Sequence, residues 1–117
     1  MTDSNDLNAQ IISSLEDLKG KDIITLDVSD KTDVTDTLII ASGTSNRHVK
    51  SLASNVVEDL KKQMDIRPMS MEGEDQGEWV LVDYVDTVVH VMLPQAREFY
   101  DLEKLWSAAA EKRPDSE

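Results

Sequence analysis

The stretch that decides the fold is residues 79–93, WVLVDYVDTVVHVML. β-Branched residues predominate on both sides of Val85-Asp86, a pattern that predicts two β-strands joined by a short turn. With the turn at these two residues, Trp79 lies opposite Met92, and opposing residues share one face of the sheet. The hairpin therefore sorts its side chains into two faces of different chemistry.

One face, here called the apolar face, is mostly β-branched and suits packing beneath helices; it comprises Val80, Val82, Tyr84, Thr87, Val89, Val91 and Leu93. The other, the mixed face, comprises Trp79, Leu81, Asp83, Val88, His90 and Met92. An aromatic anchor, an adaptable thioether and flanking polar groups are typical of a protein interface, so we interpret the mixed face as a binding surface. The residue types equally allow a helix to cover Trp79 and Met92 while Asp83 and His90 pair with each other.

Working outward, the periodicity predicts an α/β domain with the element order α-β-β-α-β-β-β-α. Apolar residues recur at helical spacing from Leu7 to Leu18 and again from Val49 to Leu60. Leu38-Ile39-Ile40 is a consecutive apolar run, as expected of a strand buried on both faces. A last helix is predicted from Gln95 to about Ala110. We expect one domain over residues 1–110 and a flexible polar tail over residues 111–117.

The chain has 24 acidic and 12 basic residues and a formal net charge of −12. Residues 72–103 hold nine acidic residues against one basic residue, Arg97, and all five aromatic residues lie between Trp79 and Trp106. Such a surface repels phosphate and selects a basic protein, which argues against direct nucleic-acid binding. With no cysteine and no long apolar run, we expect a cytoplasmic protein without a membrane segment.

Catalytic chemistry has little support in the sequence. The segment from Ser42 to His48 lies between a strand and a helix and could present N–H groups to an anion, but a helix cap explains Gly43, Thr44 and Ser45 more simply. His48 and His90 are the only histidines, and neither fits a nucleophilic triad. Acidic residues near the predicted turns are most simply solvated loop charges. We therefore predict no catalytic residue, no cofactor and no metal.

Taken together, the motifs of the chain resemble those of bacterial ribosomal silencing factors of the Iojap family. The resemblance runs from Leu7 to Trp106 and rests on these segments in this order: Leu18-Lys19-Gly20-Lys21-Asp22-Ile23, Asp36 with Leu38-Ile39-Ile40, Ser42-Gly43-Thr44-Ser45-Asn46-Arg47-His48-Val49, Glu72-Gly73, Trp79-Val80-Leu81-Val82-Asp83-Tyr84, Val89-His90-Val91-Met92, and Arg97 with Phe99-Tyr100 and Leu102-Glu103-Lys104-Leu105-Trp106. Each segment alone is nonspecific, whereas the ordered set is specific.

The resemblance implies a noncatalytic translational repressor that binds ribosomal protein fourteen on the large ribosomal subunit. Docking there would block the small subunit and lower translation under nutrient limitation. It also implies a mixed β-sheet with a nucleotidyltransferase-like core, and a homodimer when free. Two alternatives remain open, namely a large-subunit assembly factor and a degenerate nucleotidyltransferase-like nucleotide-binding protein.

Carried over by motif, the resemblance also implies the residues that face or support the partner: Glu72, Trp79, Leu81, Asp83, Tyr84, His90, Met92, Arg97 and Tyr100. The chain departs from the family pattern at Val85, where glycine is usual. A β-branched residue resists the positive φ of many hairpin turns, so the departure bears directly on the hairpin register.

Overall fold

The structure of the protein, a computed structural model, describes residues 4–30 and 35–100. Its elements are α1 (Ser4–Asp17), β1 (Lys21–Asp27), β2 (Thr37–Ser42), α2 (Asn46–Met64), β3 (Ser70–Glu72), β4 (Trp79–Asp83), β5 (Thr87–Met92) and α3 (Pro94–Tyr100). The predicted element order is confirmed. The predicted helix beyond Tyr100, the boundary at residue 110 and the tail over residues 111–117 lie outside the described residues.

All five strands form one mixed sheet in the order β1-β2-β5-β4-β3. The central strands β2 and β5 are parallel, and the other three neighbouring pairs are antiparallel. Parallel neighbours need a long crossover connection, which α2, β3 and β4 provide between the end of β2 and the start of β5. The α/β fold class with a mixed sheet is thereby confirmed.

The β4-β5 hairpin has the predicted register. Trp79 lies opposite Met92 and Leu81 lies opposite His90, as expected for a turn at Val85-Asp86. Val85 adopts a φ of 74°, and its backbone N–H donates to Asp83 Oδ1 at 2.7 Å. The β-branched residue therefore occupies the left-handed region without shifting the strand pairing.

The apolar face packs against α1 and α2. Val80, Val82, Val89 and Val91 are fully buried in one cluster with helix residues such as Leu52. Burying a side chain of this size stabilises the fold by about 1.5–3 kcal/mol, so this layer supplies most of the core. Because these residues alternate along each strand, the neighbouring positions must point to the opposite, mixed face.

Both faces of β2 are covered, as its consecutive apolar run predicts. Every residue from Thr37 to Ser42 is buried. Ile39 belongs to the core beneath the helices, whereas Leu38 joins a smaller cluster with Val28 and Val88 on the opposite side of the sheet. Within the described ranges, no helix has the length and apolar content needed to cross a membrane.

Candidate protein-binding site

The mixed face continues beyond the hairpin across the whole sheet, because cross-strand partners point to the same side. Leu81 pairs with His90 on β5 and with Glu72 on β3. His90 in turn pairs with Ile40 of β2, and Ile40 pairs with Ile24 of β1. The face therefore runs from a carboxylate at the β3 edge to aliphatic side chains at the centre and the β1 edge.

Exposure increases along the mixed face from β5 to β3. Met92 is fully buried and His90 is 8% exposed, whereas Trp79 and Leu81 are half-buried and Glu72 is exposed. The exposed end forms an open depression lined by Glu72, Gly73, Trp79 and Leu81. A partner can contact the β3-β4 end directly. Met92 and His90 are buried in this conformation, so they can only support the residues that the partner contacts.

A glycine turn shapes this depression. Gly73 has a φ of 86°, and a Cβ atom at this position would collide with the carbonyl oxygen of Trp79. Four residues later, Gly77 donates its N–H to the carbonyl oxygen of Gly73 at 3.1 Å and has a φ of 73°. The sequence indicated Gly73 only through the Glu72-Gly73 family motif, and its role in this turn was not predicted.

Trp79 and His90 are joined by a hydrogen bond on the mixed face. The indole Nε1–H of Trp79 donates to His90 Nδ1 at 2.9 Å, and the ring centroids lie 5.8 Å apart with an interplanar angle of 44°. Burial lowers the pKa of His90 to about 4, because desolvation disfavours the charged imidazolium. The imidazole is therefore neutral near pH 7 and carries its hydrogen on Nε2.

The predicted alternative of an Asp83–His90 pair is wrong. Asp83 Oδ1 accepts the N–H of Val85 at 2.7 Å, and His90 accepts the indole N–H of Trp79. Arg97, which is 8% exposed, donates from Nη1 to Ser42 Oγ at 2.9 Å. Arg97 thereby ties α3 to the end of β2.

Tyr84, a predicted site residue, does not lie on the mixed face. Tyr84 belongs to the apolar face, where it is 7% exposed within the core cluster beneath the helices. Burial raises the pKa of Tyr84 to about 12, and its hydroxyl has no hydrogen-bond partner among the described residues. Tyr100 is the last residue of α3, and its side chain lies outside the described part of the chain. Tyr84 can therefore support the mixed face only through the sheet.

The loop that precedes α2 is a helix cap, as predicted. Ser45 is the N-cap residue, and its hydroxyl accepts the N–H of His48. His48 folds back so that Nδ1 accepts the N–H of Thr44 at 2.9 Å while Nε2 donates to the carbonyl oxygen of Leu18 at 2.7 Å. Two N–H groups that an anion could have used are thus already bonded within the loop. Over the described ranges, no group of three or more His, Asp or Glu residues is arranged to hold a metal ion.

The predicted acidity of the region is displayed on its surface. Of the acidic residues from Glu72 to Glu98, all are exposed except Asp83, which is half-buried. The single basic residue in this range, Arg97, is buried. Among residues 72–98, negative charge therefore predominates at the exposed positions, which favours a cationic partner.

Solved structures share this fold. A crystal structure of a protein from Chromobacterium violaceum superposes with a TM-score of 0.87 and 47% identity, covering 91% of this chain and 88% of that chain. A protein from Bacillus halodurans superposes with a TM-score of 0.79 and 30% identity, covering 88% and 95% respectively. The protein is thus one of a class of small α/β domains built on this five-stranded mixed sheet.

Sequence comparisons then give the family. The family model described as "Ribosomal silencing factor during starvation" matches residues 1–117. A ribosomal silencing factor from Chromobacterium violaceum is 54% identical over 96 residues, which cover 81% of this chain and 77% of the relative. The mouse protein named "Mitochondrial assembly of ribosomal large subunit protein 1" is 36% identical over 83% of this chain and 43% of its own length. The chain belongs to the ribosomal silencing factor family, a family of regulatory proteins rather than enzymes.

Proposed function

We propose that this protein represses translation by binding ribosomal protein fourteen on the large ribosomal subunit and so preventing the small subunit from joining. Its membership of the silencing factor family supports the repressor role. The name of the mouse relative, which refers to the ribosomal large subunit, supports the choice of subunit. A protein seated on the surface where the subunits meet excludes the small subunit sterically, so the mechanism needs no catalytic group.

The observation that carries the proposal is the accessible end of the mixed face. Trp79 and Leu81 provide apolar contact area there, Glu72 lies beside them, and Glu74 and Asp75 are exposed in the loop that follows β3. Ribosomal proteins are basic, so the charges are complementary. Large aromatic side chains at the centre of an interface commonly supply much of its binding free energy.

The predicted site residues then divide by position. We propose that Glu72, Trp79, Leu81 and Asp83 contact the partner. His90, Met92 and Arg97 lie buried behind or beside them and support the face, while Tyr84 supports it from the opposite side of the sheet. Tyr100 remains a proposed contact at the end of α3.

We further propose that the free protein is a cytoplasmic homodimer and that silencing acts under nutrient limitation. The homodimer and the role of nutrient limitation follow the family resemblance, whereas the cytoplasmic location follows the absence of cysteine and of a long apolar run. Sedimentation velocity of the purified protein across a concentration series tests the dimer, because a monomer at every concentration would exclude it.

The deciding experiment is cosedimentation on sucrose gradients. Purified protein is mixed with separated large or small subunits, and the missing subunit is then added. We expect comigration with large subunits and loss of joined particles as the protein concentration rises. Joined particles at normal yield in the presence of saturating protein would contradict the proposal.

Two alanine variants test whether Trp79 belongs to the interface with the large subunit. Trp79→Ala should weaken large-subunit binding by about 2 kcal/mol or more, roughly thirtyfold in Kd, while the protein stays folded. Leu18→Ala is the control, because Leu18 is an apolar residue that is 38% exposed and is not part of the mixed face. Equal binding by both variants would remove Trp79 from the interface.

A second candidate function is participation in assembly of the large subunit, favoured by the name of the mouse relative. It predicts preferential binding to precursor particles. Cosedimentation with precursor and mature large subunits in parallel separates the two functions, since a silencing factor must bind the mature subunit.

A further inference from the structure

The hydrogen bond between Trp79 and His90 links an accessible residue of the mixed face to a buried one. Trp79 on β4 is half-buried and lines the open depression, whereas His90 on β5 is 8% exposed. The two residues are diagonal neighbours, since Trp79 pairs with Met92 and His90 pairs with Leu81. Their 2.9 Å hydrogen bond therefore crosses from β4 to β5 and joins an accessible side chain to a buried one on the same face.

This geometry leaves the indole few orientations. A tryptophan side chain turns about two torsions, and a hydrogen bond from Nε1 to an acceptor fixed in a strand holds both of them. The acceptor is secure at neutral pH, because burial keeps the His90 imidazole uncharged with a lone pair on Nδ1. The indole N–H is also satisfied within the protein, so the part of Trp79 that reaches the depression is apolar.

We propose that His90 is a positioning residue for partner binding, which acts by holding the Trp79 indole in its binding orientation through the Nε1–H···Nδ1 hydrogen bond. The inference rests on the proposed function, in which Trp79 anchors the partner. His90 itself contributes little contact area because it is buried. Its loss raises Kd by leaving the indole to be ordered at the moment of binding, and by leaving a half-buried N–H without its acceptor.

Two substitutions separate positioning from plain packing. Asn Oδ1 can take nearly the same place as His Nδ1, so His90→Asn keeps the acceptor, whereas His90→Leu fills the strand position with an apolar residue and removes it. A packing role predicts that the leucine variant performs at least as well as the asparagine variant, since leucine suits a buried strand position better. Positioning predicts the opposite order in partner binding.

The experiment measures Kd for mature large subunits with the wild type, His90→Asn, His90→Leu, Trp79→Phe and the double variant Trp79→Phe/His90→Leu. We expect His90→Leu to raise Kd about tenfold and His90→Asn to recover most of that loss. In the Trp79→Phe background, His90→Leu should change Kd less than twofold, because phenylalanine has no N–H to hold. Equal losses from His90→Leu in both backgrounds would overturn the inference.

A second readout uses the free protein and does not depend on the ribosome. The chain has two tryptophans, so the indole N–H signal of Trp79 in a ¹H–¹⁵N NMR spectrum is the one that Trp79→Phe removes. It should exchange slowly with solvent in the wild type and in His90→Asn, and quickly in His90→Leu. Identical exchange in all three would overturn the inference. Failure of the wild type to bind large subunits would instead refute the proposed function, with the exchange result still standing by itself.

Discussion

The backbone N–H of Asp86 donates to the carbonyl oxygen of Tyr84 at 2.9 Å, closing a three-residue γ-turn around Val85. This kind of turn, with a φ of 74° at its central residue, is rare and strained for any residue with a Cβ atom. The same turn also fixes the start of β2, because the carbonyl oxygen of Asp86 accepts the N–H groups of Asp36 and Thr37. The turn that contains the strained residue is thus held by hydrogen bonds from Thr37 at the start of β2 and from Asp36 before it.

Replacing Val85 with glycine should stabilise the protein. Left-handed backbone at a β-branched residue costs on the order of 1–3 kcal/mol, and the greater freedom of glycine in the unfolded chain cancels part of the gain. We expect Val85→Gly to raise the free energy of unfolding by about 1 kcal/mol in urea denaturation. Val85→Ala, which keeps a Cβ atom, is the control and should gain less. A destabilised glycine variant would show that Val85 is not strained.

Gly73 should tolerate no side chain. A Cβ atom there would meet the carbonyl oxygen of Trp79, and the φ of 86° is unfavourable for other residues. We expect Gly73→Ala to lower the free energy of unfolding by about 3 kcal/mol. Gly73→Asn tolerates positive φ better but carries the same Cβ atom, so it should lose a comparable amount. Glu74→Ala, at the exposed neighbouring position, should change stability by less than about 0.5 kcal/mol. A stable Gly73→Ala protein would contradict the close approach to β4.

Stability should fall as the solution is acidified, in part through His90. Burial lowers the pKa of His90 from 6.5 to about 4, so the unfolded chain binds more protons than the folded protein between these pH values. The free energy of unfolding then decreases with falling pH, by up to about 1.4 kcal/mol per pH unit within that window. We expect the wild type to lose stability more steeply than His90→Asn in urea denaturation between about pH 7.5 and pH 5. Parallel curves for the two proteins would mean that His90 is not buried as a neutral imidazole.

Removal of the Tyr84 hydroxyl should cost little. That hydroxyl is buried without a hydrogen-bond partner among the described residues, and burial without a partner is unfavourable. We expect Tyr84→Phe to retain or gain up to about 1 kcal/mol of stability and to bind large subunits like the wild type, whereas Tyr84→Ala should lose about 3 kcal/mol or more through the cavity it leaves. Weaker ribosome binding by a fully stable Tyr84→Phe protein would place the hydroxyl in the interface after all.

Much of the fold was predictable because local patterns report burial directly. The β-branched runs on both sides of Val85-Asp86 predicted the hairpin and its register, and the run Leu38-Ile39-Ile40 predicted a strand buried on both faces. The Thr44-Ser45 pair likewise predicted the N-cap of α2. The γ-turn at Val85 was not foreseen, since the bonds from Asp36 and Thr37 that hold it come from distant parts of the chain.

The sequence alone determined the element order, the two faces of the hairpin and the acidic, aromatic character of the last third of the chain. These properties follow from side-chain periodicity and composition, which are local. Only the tertiary structure decided which mixed-face residues a partner can reach. In the structure Met92 and His90 are buried and Glu72 is exposed, and His90 forms its hydrogen bond with Trp79 rather than with Asp83. Strand order and the packing of distant elements set these outcomes, because accessibility and hydrogen-bond pairing depend on which segments meet in space.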